Sequence, residues 1–171
     1  MAVEMVLLGL LRQGPRHGYD LTREFLPETV LGDIVRLEPS LLYANLKKLE
    51  RDGLVRSTVQ QQGSRPARRM LELTDLGVET LDRWLAEPVE RTRDLRLAFL
   101  LKLYVARMPG SGDAEGLVER QRDVCRRFVE SLREQLDSEE DEFRRLVIEM
   151  RLAQNVALLE WLDRASGRVR A

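Results

Sequence analysis

Within its first 88 residues the chain changes hydrophobic period twice, from helix to strand and back, and that double switch limits the folds open to it. Val3, Val6, Leu7, Leu10 and Leu11 recur at helical spacing, so a first helix is expected from about Val3 to Arg12, stopped by Gly14-Pro15. A second starts near Gly18-Tyr19 and carries Leu21, Phe25 and Leu26 inward before Pro27. Pro39-Ser40 opens a third, with Ser40 available as its cap and Leu42, Leu46 and Leu49 as its inner face, until Asp52-Gly53 ends it. Leu54 to Gln60 then reads as a strand on β-branched Val55, Thr58 and Val59. Gly63-Ser64 and Pro66 make a turn, and Arg69 to Leu73 returns as the partner strand. Thr74 caps a fourth helix, with Leu76, Leu81, Trp84 and Leu85 on one face, ending before Pro88. Three helices, a hairpin and a helix, in that order, are what a winged helix-turn-helix requires.

A second unit begins near Glu90. Leu95 to Val105 is apolar almost all round, which predicts a helix enclosed by partners on several sides. Pro109-Gly110-Ser111-Gly112 is a linker with Asp113 as the next cap, and the helix after it aligns Leu117, Gln121, Cys125, Phe128, Leu132 and Leu136. Ser138 and the acids after it open a last helix with Phe143, Leu146, Met150, Ala157 and Trp161 facing in, closed by Gly167. The expected architecture is mainly α: a winged helix-turn-helix DNA-binding domain over residues 1–88 and a helical dimerisation domain over 89–171.

Composition narrows the function classes. A chain of 171 residues, 43% apolar and 33% charged, is a folded protein rather than a disordered one. Its formal net charge of −1 rules out a uniformly basic coat, so any nucleic-acid surface must be made by local clustering. Cys125 is the only cysteine, which excludes an intrachain disulfide and fits a reduced, cytoplasmic setting. No stretch is long and apolar enough to span a bilayer; the first, Ala2 to Leu11, is short and interrupted by Glu4. There is no nucleophile with a base partner, no Gly-rich phosphate loop and no metal-ligand set, so neither catalysis nor a cofactor or metal is expected.

The clustering is there. Between Tyr43 and Arg69 the cations are Lys47, Lys48, Arg51, Arg56, Arg65, Arg68 and Arg69, against only Glu50 and Asp52, and no acid falls from Arg56 to Arg69. Those cations sit on the third helix and the hairpin, the two elements a winged helix presents to DNA. Ser40, Leu41 and Tyr43 lie at the start of that helix, and the carboxamide of Asn45 offers an adenine a donor and an acceptor together. Lys47 and Lys48 are about 100° apart on a helix, so both cannot face the groove. On the hairpin the candidates are Arg56, Ser64, Arg65, Arg68 and Arg69, with Arg65 at the tip. His17 and Tyr19 stand at the start of the second helix, where a hydrogen-bonding role toward phosphate is expected.

Three blocks of this sequence resemble the PadR family of transcriptional regulators. Leu7-Leu8-Gly9-Leu10-Leu11 through Gly14-Pro15-Arg16-His17-Gly18-Tyr19-Asp20-Leu21 resembles its first signature. Pro39-Ser40-Leu41-Leu42-Tyr43-Ala44-Asn45-Leu46-Lys47-Lys48-Leu49-Glu50-Arg51-Asp52-Gly53-Leu54-Val55 resembles its recognition helix and entry to the wing. Leu73-Thr74-Asp75-Leu76-Gly77 resembles the end of the wing. Phe99-Leu100-Leu101-Lys102-Leu103-Tyr104 and Glu160-Trp161-Leu162 are similar to the larger subfamily, whose C-terminal helices make the dimer. The chain departs from the family in the second wing strand, where a tyrosine is frequent and this sequence reads Arg69-Met70-Leu71.

The resemblance implies a homodimer on a pseudo-palindromic operator in double-stranded DNA, repressing until a small-molecule effector releases it. Candidate dimer residues are Leu95, Phe99, Leu103, Phe128, Leu132, Leu158 and Trp161, and a candidate effector pocket is Trp84, Phe99, Tyr104 and Trp161. A cut after Pro88 is expected to leave a folded monomer. The alternatives are an activator, a ligand-independent repressor, or a winged helix used only for protein contacts. The last would carry acids in place of the wing arginines, a mark this chain lacks.

Overall fold

The computed structural model describes residues 2–62 and 65–169, with the backbone alone described at 60–62, 65–68 and 92. Helix α1 (Ala2–Arg12) is buried on nearly every side, with Val6, Leu7 and Leu8 wholly removed from solvent. Burying a leucine stabilises a fold by about 1.5–3 kcal/mol, so this one helix anchors the core. Gly9 lets the C-terminal unit come close: a Cβ there would lie 2.5 Å from Val105 Cγ1.

Strand β1 (Arg16–His17) leads into α2 (Gly18–Arg23), which ends earlier than the sequence suggests and leaves Leu26 exposed. The second apolar block makes a separate short helix, α3 (Val30–Ile34), capped by Thr29 Oγ1 accepting from Gly32 N at 3.0 Å. Four helices, not three, therefore precede the hairpin. Helix α4 (Pro39–Arg51) starts one residue before the expected cap. Pro39 lacks the N–H that a first turn leaves unsatisfied, Glu38 takes the cap position, and Ser40 lies inside the helix.

Strands β2 (Val55–Gln62) and β3 (Arg65–Leu73) pair antiparallel from Val55↔Leu73 outward. β1 adds to the free edge of β3, so the sheet order is β1-β3-β2. β3 begins four residues before the expected Arg69. Helix α5 (Asp75–Ala86) is capped as predicted by Thr74, whose Oγ1 accepts from Gly77 N at 3.1 Å; Leu76, expected inside, is exposed.

In the C-terminal unit a single 3-10 turn and a π-helical turn (Leu95–Phe99) feed α6 (Leu100–Ala106). α6 is enclosed as expected: Leu101, Leu103 and Val105 are buried. Two 25-residue helices follow, α7 (Ala114–Ser138) and α8 (Glu142–Ser166), packed on each other. Asp113 caps α7, and Asp141, the last of the acids between Ser138 and the helix, caps α8, each accepting the N–H three residues on at 2.8 Å.

The expected inner face of α8 is wrong for four of its five residues. Phe143, Leu146, Met150 and Ala157 are exposed, while Ile148, Asn155 and Leu162, seven apart, face inward. A seven-residue step tracks a neighbouring long helix, and the stripe of larger apolar side chains stands on another side.

The core does not break at residue 88. One continuous cluster joins α1 through α6 to Leu117, Val118, Cys125 and Leu162. Polar ties cross the same line. Gln13 Nε2 donates to Pro109 O (3.0 Å) and Ser111 Oγ (3.1 Å), and Lys102 Nζ donates to Glu87 O. The expectation that a cut after Pro88 leaves a folded monomer is therefore revised: α1 would lose the cover of α6.

Candidate nucleic-acid interface

On α4 the buried Leu42, Leu46 and Leu49 fix which way every other residue turns. Ser40, Tyr43 and Lys47, spaced three and four apart, form one outward stripe; Leu41, the half-buried Asn45 and Lys48 form the next. Tyr43 is 45% exposed and Leu41 53%, high values for large side chains on a helix whose other leucines are all buried. Gly18 makes room for the Tyr43 ring, since a Cβ there would stand 2.8 Å from Cε1. His17, Gly18, Tyr19, Asp20, Tyr43 and Arg69 together line an open hollow of about 460 Å³ between α2, α4 and the root of the wing.

The cations on this face are not all equally available. Lys47 makes no ion pair among the described residues, but Lys48 Nζ reaches Glu4 Oε1 at 2.8 Å and Arg56 Nε reaches Glu72 Oε2 at 2.9 Å. Arg69 Nη2 meets Glu50 Oε1 and Oε2 at 2.7 and 2.8 Å and Ser57 Oγ at 2.7 Å, and the Ser57 hydroxyl also donates to Glu50 Oε1. The hydrogen bonds from Ser57 and then Arg69 hold the Glu50 carboxyl below its ordinary range; Arg56 does the same for Glu72.

His17 makes no side-chain cap on α2. Its Nδ1–H donates to the carbonyl oxygen of Arg69 at 2.9 Å and ties β1 to the wing. Tyr19 is 67% exposed beside it. Arg65 and Arg68 lie on β3 opposite Gln62 and Gln60, and Ser64 lies outside the described residues.

The model of the PadR-like family of transcriptional regulators matches residues 7–83, and that of the virulence activator alpha C-terminal region matches residues 95–170. The negative transcriptional regulator PadR of Bacillus subtilis is 33% identical over 121 residues, 70% of this chain and 64% of the relative. The probable transcriptional regulator Rv1176c of Mycobacterium tuberculosis is 31% identical over 93 residues, 54% of this chain and 48% of the relative. The matches thus span less than two thirds of these curated relatives. The crystal structure of Bacillus subtilis PadR in complex with operator DNA aligns with a TM-score of 0.50 and 26% identity, covering 99% of this chain and 100% of that one.

Residues 7–83 belong to the PadR-like family of transcriptional regulators.

PadR-like proteins are regulators rather than enzymes, and no group of His, Cys, Asp and Glu among the described residues could hold a metal ion. No described helix is long and apolar enough to cross a membrane. The buried Cys125 thiol is pushed up by desolvation, away from reactivity.

The four aromatics proposed as one effector pocket fall in three places. Phe99 and Trp161 meet edge to face, centroids 6.2 Å apart, in a hollow of about 540 Å³ whose rim carries Arg93 and Arg96. Trp84 lies against the Lys102 ammonium, 4.8 Å from its ring centroid, in a second hollow. Tyr104 is half-buried beside Glu24 and Arg16, and burial raises its phenol. Of the proposed dimer residues, Leu95, Phe99, Leu103 and Leu132 are buried inside the protomer, and Phe128, Leu158 and Trp161 are half-buried.

Sequence reasoning missed Lys102, only 3% exposed, whose Nζ donates to the Glu87 carbonyl at the end of α5. Burial lowers it to about 8. A lysine inside an apolar run was the available signal. Glu4 and Glu72 were missed as partners because they lie outside the acid-free stretch, though the hairpin register sets Glu72 opposite Arg56.

Proposed function

We propose that this PadR-like protein is a sequence-specific DNA-binding regulator that represses transcription as a homodimer and is released by a small-molecule effector. The observation that carries the reading is the outward stripe of Ser40, Tyr43 and Lys47 on α4, set beside the root of a cationic wing. A helix of this kind enters the major groove while the wing meets backbone or minor groove. Leu41, Asn45, His17 and Tyr19 complete the face, with Ser64, Arg65 and Arg68 on the wing; Lys48, Arg56 and Arg69 act there only in company with their carboxylates. The Bacillus subtilis relative has been crystallised with operator DNA, which agrees with this assignment.

The dimer surface is α8. Phe143, Leu146, Val147 and Met150 form an exposed apolar stripe, with Phe143 74% and Met150 65% exposed. A second copy is its fitting occupant, because a two-fold pair sets two recognition helices about one turn of DNA apart on a pseudo-palindrome. Residues 1–88 then read DNA and residues 89–171 dimerise and hold the effector, without cofactor or membrane, in the cytoplasm. The Phe99–Trp161 hollow, apolar within and edged by two guanidinium groups, suits a small aromatic acid. Bacillus subtilis PadR has also been crystallised with p-coumaric acid, a convenient probe.

Selection of duplexes from a random pool tests the reading. The expected winners contain two inverted half-sites 10–10.5 base pairs apart, roughly one helical turn. Recovery of no enriched sequence contradicts it.

A further inference from the structure

Arg69 stands on the face assigned to DNA. Its guanidinium is a little over half exposed and it helps line the hollow shared with His17, Tyr19 and Tyr43. From sequence it looks like a free phosphate ligand at the end of an acid-free run. In space it is held by a carboxylate from the recognition helix itself, through both oxygens of Glu50, with Ser57 bridging the two.

That arrangement copies the contact a phosphate would make. Both carboxylate oxygens lie on one guanidinium nitrogen, Nη2, so the contact is a charge-assisted one at the site a phosphate oxygen would take, not the fork in which two nitrogens meet two oxygens. The pair is electrically neutral, so a DNA phosphate approaching the remaining edge of Arg69 meets the Glu50 charge as well. Little net attraction survives, and no counterion is released for it.

Resting on the reading of α4 and the wing as the DNA face, we propose that Glu50 is an internal phosphate mimic that withholds Arg69 from DNA and so limits sequence-independent affinity. The purpose such a residue serves is discrimination. Phosphate contacts hold a protein to every duplex alike, whereas base contacts distinguish one from another. Withholding one cation lowers the common background without touching Tyr43 or Asn45. Ser57 matters because its hydroxyl, anchored on β2, orients the carboxylate; β2 and β3 thereby hold Arg69 against the last turn of α4.

The test uses the full chain and a short duplex of random sequence, with binding followed from 50 to 200 mM salt. Glu50→Gln keeps a hydrogen-bonding partner for Ser57 and removes the charge. Its plot of log affinity against log salt should steepen by about 0.9, so that affinity falls about 3.5-fold more over that range than in the parent. At the lower salt it should bind the random duplex several-fold more tightly. Removing both members of the neutral pair, Arg69→Gln with Glu50→Gln, should abolish that gain and return the slope to the parent's.

Two results overturn the proposal: an unchanged slope in folded Glu50→Gln protein, or a slope in the Arg69→Gln, Glu50→Gln double variant flatter than the parent's by a full contact. The second variant decides the matter even if the first does not fold. Lys47→Ala separates this outcome from a wrong DNA face. If Lys47→Ala also leaves affinity and slope unchanged, the face itself has failed; if it flattens the slope while Glu50→Gln does nothing, only the mimic has.

Discussion

The two halves of the molecule finish their surfaces differently. The N-terminal half closes its core through α1 and neutralises three of its outward cations from within, through Glu4, Glu50 and Glu72. The C-terminal half also buries its own hydrophobic residues on α6 and α7, but it leaves the first half of α8 apolar and bare. On the readings proposed above, one half meets a polyanion with its cations partly neutralised and the other meets an apolar partner. A local count of charges or leucines misjudges both, because pairing partners come from distant parts of the chain.

The sharpest way to break this comparison is to separate the halves. Truncation after Pro88 strips α6 from α1 and bares Leu7, Leu8 and Leu10, so the fragment is expected to show no cooperative thermal transition. A sharp transition in the fragment would mean that the N-terminal half is self-sufficient. Next in size is the loss of pairing. Phe143→Glu with Met150→Glu should convert a dimer to a folded monomer by sedimentation, and lower affinity for a selected two-half-site duplex by about 100-fold through lost effective concentration. Unchanged sedimentation would move the interface off α8.

The smallest effect lies at the junction. Lys102 titrates near 8 in the folded chain against an ordinary 10.5, because burial opposes its charge. Below pH 8 both folded and unfolded chains carry the proton and the folded state bears the full desolvation cost. Between about pH 8 and 10.5 the unfolded chain binds more protons, so this group makes stability rise with pH. Lys102→Met should abolish that rise in a denaturant titration, and its persistence would point to another group.

What the sequence disclosed follows from the range of the forces involved. Caps and breakers act over a few residues, so Thr74, Asp113, Gly14-Pro15 and the Leu42–Leu46–Leu49 stripe were readable directly. α3 escaped because five residues are too few to show a period, and β1 because a two-residue strand exists only by pairing with β3. The α8 error has a different origin. Periodicity finds an apolar stripe but does not say whether the chain itself covers it, and the protomer leaves Phe143, Leu146 and Met150 exposed. The cationic cluster on α4 and the hairpin was legible as a run of residues, while the pairings of Lys48, Arg56 and Arg69 needed three-dimensional neighbours.

The central claim is that α4 reads bases. It is tested most directly by measuring the Tyr43→Phe, Asn45→Ala double variant on the best selected duplex and on a random duplex at one salt concentration. Base contacts are worth about 1–3 kcal/mol each in discrimination, so the selected-to-random affinity ratio should fall at least about tenfold while random binding stays as it was. Equal losses on both duplexes, or no loss on either, would contradict the claim.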